Sequence, residues 1–89
     1  MQLPASATLD NAAELAAALP SQIAQGSGPV RVDASALTAY DSSTLSLLLE
    51  ARRQALATGR GFEVAGAPAT LVALAALYGV DELLSLSAG

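Results

Sequence analysis

The apolar positions change period along the chain. Leu15, Leu19 and Ile23 recur every four residues, with Ala12 and Ala16 beside them, which is one stripe of an amphipathic helix. Asn11 followed three residues later by Glu14 is a variant of the capping box, so Asp10 or Asn11 is the expected N-cap. Pro20 interrupts the stripe. It lacks a donor and crowds the preceding turn, which predicts a kink or a break near Leu19 and an end by Gln25. The period then falls to two. After the loop Gly26-Ser27-Gly28-Pro29, Val30 and Val32 alternate with Arg31 and Asp33 and predict a short strand. "FEVAG", Phe62 to Gly66, alternates again and predicts a second one. Between them a long helix is expected from about Ser43 to Thr58, closed by Gly59 and Gly61 with Arg60 exposed between the two. Pro68 opens a further helix at its first turn, with Leu71, Leu74, Ala75 and Tyr78 or Leu77 facing inward and Gly79 closing it. Val80, Leu83 and Leu84 form a last apolar patch on a short turn or helix. Gln2-Leu3 reads as the stub of a first strand, and "PASATLD" as a turn-rich entry.

Strands alternating with helices predict an α/β layer with a small, mostly parallel sheet and helices packed against one or both of its faces. The 89 residues fit a single domain, 1–89. Hydrophobic residues make up 53% but aromatics only 3%, so the filling is alanine and leucine and the elements must approach closely.

Charge and composition narrow the function. The net charge is −4, and the only basic residues are Arg31, Arg52, Arg53 and Arg60. That argues against tracking nucleic-acid phosphates or docking on anionic lipid. Arg52-Arg53 reads as a solvated helix face, with a salt-bridging patch for an acidic partner as the functional alternative. With no cysteine and no histidine, a disulfide scaffold, a thiolate or imidazole metal site and a histidine-assisted nucleophile are all excluded. The Gly26–Pro29 loop lacks the lysine of a phosphate-binding loop. Asp33 and Asp41 could form a carboxylate pair, but a strand end and a loop commonly hold solvated acids. The expectation is a protein that is no enzyme and carries no cofactor. No basic region of a secretory signal follows Met1, and no apolar run approaches the roughly 20 residues of a membrane span. A cytoplasmic location is expected, or one at the inner face of the inner membrane reached through a partner.

One stretch is richer than its local structure needs. In "LTAYDSSTLSLLLEARR", Asp41, Ser42, Ser43 and Thr44 stand together before a leucine run. A helix cap explains much of this: a hydroxyl accepts from a free backbone N–H for about 1 kcal/mol, and Asp41 suits the positive end of the dipole. Capping needs one hydroxyl, however, and there are three in a row. A serine at a helix N-terminus is also placed for docking or for phosphorylation. The leucines add to this. Leu45, Leu48, Ala51 and Ala55 form one core stripe, while Leu47 and Leu49 lie about 160° apart, so one of them falls at its margin or outside. The candidate partner-binding residues are therefore Tyr40, Asp41, Ser42, Ser43, Thr44, Leu45, Ser46 and Leu49, with Ser42 the candidate phosphorylation site.

"VRVDASALTAYDSSTLSLLLEARRQALATGRGFEVAG" resembles the STAS domain family, whose anti-sigma factor antagonists carry a strand, an Asp-Ser-Ser or Asp-Ser-Thr motif, Gly-Leu and a helix. Asp41-Ser42-Ser43 and Leu45 match, and "LVALAALYGVDELLSL" is similar to the family's last helix and closing Gly-Val-x-x-Leu. The resemblance covers roughly residues 30 to 86. The short form and "LYGVDELL" look most like the MlaB-like branch, the cytoplasmic STAS subunits of Mla phospholipid ABC transporters, which maintain outer-membrane lipid asymmetry. The resemblance implies a partner, either the transporter ATPase or a kinase-type anti-sigma factor. It implies that Ser42 occupies the position phosphorylated in antagonists, or contacting the ATPase in the transporter subunit. Two features depart from the pattern. Thr44 stands where the family keeps a glycine, and the usual first hairpin is reduced to Gln2-Leu3 and the turn-rich stretch after it.

Overall fold

The period-two stretches become neighbouring strands. In the computed structural model, which describes residues 1–88, the order is β1 (Ser6–Ala7), α1 (Ala12–Ala24), β2 (Val30–Asp33), β3 (Ala39–Tyr40), α2 (Ser42–Ala57), β4 (Phe62–Ala67), α3 (Ala69–Leu77), α4 (Asp81–Leu84) and β5 (Leu86–Ala88). One sheet runs β2-β4-β5 and a second pairs β1 with β3, all parallel. A single bridge between Gln2 and Asp33 joins the N-terminal segment to β2. The chain is thus an α/β protein of short parallel sheets packed with helices.

Burial shows which face the helices cover. Val30, Val32, Val64 and Ala67 are buried, while Arg31, Asp33 and Glu63 between them are exposed. Helices therefore cover one face and leave the other polar. On that open face Arg31 and Glu63 stand directly opposite in register and pair at 3.4 Å. Helix α2 packs on α1 on one flank and on β4 and α4 on the other. This double cover buries Leu47 as well as Leu45 and Leu48, and it leaves Leu49 as the leucine at the margin.

Several boundaries differ from those the sequence predicts, each for a local reason. Helix α1 passes through Pro20 without a break. Leu19 and Ile23 are buried on either side of it and Pro20 itself is exposed, so burial of the stripe outweighs one lost hydrogen bond. Asn11 is the N-cap residue, yet its side chain does not cap. Its Oδ1 accepts from Thr8 N at 2.9 Å and its Nδ2 donates to the Ser6 carbonyl at 2.7 Å, which fastens the "PASATLD" stretch in place as β1 and a turn. Arg60 is half-buried rather than solvent-facing: its guanidinium donates to the Gly28 carbonyl at 2.6 Å and to the Ile23 carbonyl, one of the acceptors left over at the end of α1. Pro68 is the N-cap of α3 rather than its first helical residue. Leu77 and Tyr78 do not face inward; both are exposed, because α3 ends at Leu77 and the chain turns away at Gly79 with φ +73°.

The crest of α2 carries a small charge cluster. Arg53 Nε donates to Glu50 at 2.9 Å, and Gln54 donates to the same carboxylate at 2.8 Å. These bonds hold the Glu50 carboxyl down at about 2, below its ordinary 4.5. A carboxyl depressed by folding lends stability above its unfolded value, and that stability fades as pH falls from about 4.5 toward about 2. The expected result is that Glu50→Gln flattens the acid limb of the stability profile in that window, with a smaller difference in high salt because the pair is exposed. Urea midpoints taken from pH 7 down to pH 2 would check it; an unchanged acid limb would remove this role for Glu50.

Candidate functional site

The polar stretch at the start of α2, Asp41 to Thr44, divides into two groups of residues. Asp41 is the N-cap: its Oδ1 accepts from Ser43 N at 2.8 Å, and Thr44 Oγ1 accepts from Asp41 N at 3.1 Å, closing a reciprocal capping box. The Thr44 hydroxyl also donates to the Ala7 carbonyl of β1, and Asp41 Oδ2 accepts from Leu9 N at 3.2 Å. Asp41 and Thr44 thus knot the helix start to the N-terminal strand and the turn after it. Thr44 is completely buried. Its place among the partner-contacting residues is corrected accordingly: it lies beneath the motif, and its β-branched side chain does not obstruct the outer surface.

Ser42 is exposed and Ser43 half-buried, and neither side chain has a hydrogen-bond partner among the described residues. Ser46, one turn on, is exposed and donates to the Ser42 carbonyl at 3.5 Å. Ser42, Ser46, Leu49 and the largely buried Leu45 line one side of an open groove of about 440 Å³, with Tyr78 and Val80 on the other. The structure therefore brings together four of the sequence-selected residues. It adds Tyr78 and Val80, which periodicity had assigned to the core side of α3 and to a terminal patch. Their signal in the sequence is slight: Tyr78 is one of two tyrosines, next to the glycine that ends its helix. Tyr40 stands apart from the groove and joins its phenol to the Thr70 hydroxyl at the start of α3. Asp33 and Asp41 make no pair. Asp33 accepts from Ser35 N at 2.9 Å, and hydrogen bonding to Ser35 holds its carboxyl below the usual range.

A family model described as "Mlab, STAS domain" matches residues 1–85. The chain belongs to the STAS-domain family. The match reaches the N-terminal segment, so β1 and the Gln2 bridge fall within the family region as well as the motif. Among curated proteins, none matches the sequence. No helix among the described residues is long and apolar enough to cross a membrane.

The candidate site combines three features. It has an unengaged hydroxyl at a helix N-terminus, an open groove with an aromatic wall, and a rigid hydrogen-bonded base beneath. STAS domains act through contacts with other proteins, and a free hydroxyl beside an apolar groove suits such a contact.

Proposed function

We propose that this chain is a non-enzymatic STAS protein that binds and supports the ATPase subunit of an Mla-type ABC phospholipid transporter, acting as one domain on the cytoplasmic side of the membrane. One observation carries the reading. Capping of α2 is done by Asp41 and Thr44, so the exposed Ser42 hydroxyl is left over, and it opens on the groove of Leu49 and Tyr78. The family description, with its reference to Mlab, supports the transporter branch. Ser42, Ser46 and Leu49 make the contact, with Ser43 at its edge; Tyr40, Asp41 and Leu45 hold it in shape. Docking acts by shifting the ATPase toward its assembled population.

The same free hydroxyl favours a second reading, an anti-sigma factor antagonist controlled by phosphorylation of Ser42. A phosphate there would add nearly two charges beside Asp41. A tagged pull-down from the native cell, with mass spectrometry of partners and of Ser42, separates the two. An ABC ATPase with unmodified Ser42 supports the transporter subunit, whereas a kinase-like partner with phosphate on Ser42 replaces it. Ser42→Glu is expected to leave the fold intact, since the side chain bonds to nothing, and to weaken partner binding about tenfold or more by placing charge and bulk in the contact. Binding equal to wild type by calorimetry would remove Ser42 from the site.

A further inference from the structure

The two arginines that stand together in the sequence have different surroundings in the fold. Arg53 is paired with Glu50 and lines a groove beside α1, together with Pro20 and Ala57. Arg52, turned about 100° around α2, lines a groove on the other flank with Leu56, Phe62, Glu82 and Leu83. Arg31 is paired with Glu63, and Arg60 with two carbonyls. Among the described residues Arg52 is the one arginine with no polar partner, and Glu82 across the groove makes no ion pair with it.

This groove, of about 400 Å³, adjoins the Ser42 groove. Their inner walls follow one another along α2, from Ser42 through Leu49 to Arg52 and Leu56. Their outer walls are consecutive in the chain: Tyr78 and Val80 face one, Gly79 and Leu83 the other. Gly79, which lines the second groove, lies in the chain between Tyr78 and Val80 of the first and carries no side chain. The exposed apolar residues Leu56, Tyr78 and Leu83 cluster along this trough, at 46%, 59% and 47% exposure. From Ser42 to Arg52 it runs roughly 15 Å, about three helical turns.

We infer that the contact extends along the whole trough and that its far end selects a carboxylate: the occupant is an amphipathic segment of the ATPase partner whose apolar side chains lie against Leu56 and Leu83 and whose Asp or Glu pairs with Arg52. This rests on the proposed docking function and specifies the chemistry of the partner. Charge complementarity carries it: on a chain of net charge −4, Arg52 is the one arginine without a polar partner among the described residues, and it stands beside the exposed Leu56 and Leu83, with Glu82 in the same groove but not paired with it. Arg53, one residue away, provides the control.

The test measures binding of the purified ATPase subunit to wild type, Arg52→Glu, Arg52→Gln, Arg53→Glu and Ser42→Glu, each first shown to melt cooperatively. The expected result is a loss of about tenfold or more for Arg52→Glu and a smaller loss for Arg52→Gln. Arg53→Glu should stay within about twofold, and the salt dependence of wild type should flatten in Arg52→Gln. If Ser42→Glu weakens binding while Arg52→Glu does not, docking is confined to the first groove; the inference falls and the proposed function stands. Tighter binding by Arg52→Glu would mean a basic occupant and overturn it too. No binding by wild type overturns the docking function and this inference together.

Discussion

Thr44→Val is expected to destabilise the protein by about 2–4 kcal/mol, although it only exchanges one hydroxyl for a methyl of similar volume. Thr44 is completely buried, and its hydroxyl serves two backbone groups at once, donating to the Ala7 carbonyl and accepting from Asp41 N. Valine fills the same space and satisfies neither. Each polar group left buried without a partner costs on the order of 1–3 kcal/mol. The Asp41 amide is only partly buried, so its share is the smaller. At the 4–8 °C per kcal/mol typical of a domain this size, the melting point should fall by roughly 10 °C or more. Urea unfolding at an unchanged m-value would measure it. A loss under about 0.5 kcal/mol would mean that the hydroxyl does not join β1 to α2. Serine keeps the hydroxyl and gives up only the methyl, so Thr44→Ser should retain more stability than Thr44→Val.

A loss of about 3 kcal/mol or more is expected from Gly66→Val, through backbone geometry rather than a hydrogen bond. Gly66 sits in β4 with φ +72°, at the irregularity in pairing with β5 between Val64 and Ala67. A β-branched residue is a steric outlier at positive φ. The Cβ would also stand 3.0 Å from the Ser35 Cβ and 3.3 Å from its backbone N and Cα, in the chain just after β2. Backbone cannot swing aside as a flexible side-chain end can. The close approach lets Ala34 N donate to the Ala65 carbonyl at 2.8 Å, which extends the β2–β4 pairing past the strand end. Thermal melts of Gly66→Val and Gly66→Ala would separate the two causes: alanine carries most of the φ strain and the first contact, valine adds the branch. If both variants melt with wild type, the bulge is able to relax and the close approach is not required.

The site and the fold share these devices. The residues that look most like a recognition motif are partly the fastening of the helix that displays it. Asp41 and Thr44 are held by β1 and the following turn, which in turn are held by Asn11. Ser42 is left as the accessible member, standing on a base whose loss would blur its position. Stability and the proposed binding can therefore be tested separately: Thr44 reports on the base and Ser42 on the proposed contact.

The amino-acid sequence by itself determined the elements whose signal is local. Period two at Val30–Asp33 and Phe62–Gly66, the stripe of Leu15, Leu19 and Ile23, and the glycines after Thr58 and Tyr78 each reflect a preference that the nearest residues settle. The α/β order, the mostly parallel sheet and the Asp41-Ser42-Ser43 motif were legible for that reason. Only the tertiary structure decided the rest. Two-residue strands such as Ser6–Ala7 and Ala39–Tyr40 are too short to show a period, and they exist because each supplies the other's hydrogen bonds. Helix α1 crosses Pro20 because burial on both sides outweighs a local penalty. Thr44 is a buried anchor, and Tyr78 an exposed wall, because of where the adjoining chain comes to rest. Arg52 and Arg53 are equivalent in the sequence, and they differ only because α1 covers one flank of α2 and α4 the other. Local patterns specify which elements form; a side chain's partners come from residues far along the chain, and in this protein those partners separate the bonded residues of the motif, Asp41 and Thr44, from the exposed Ser42.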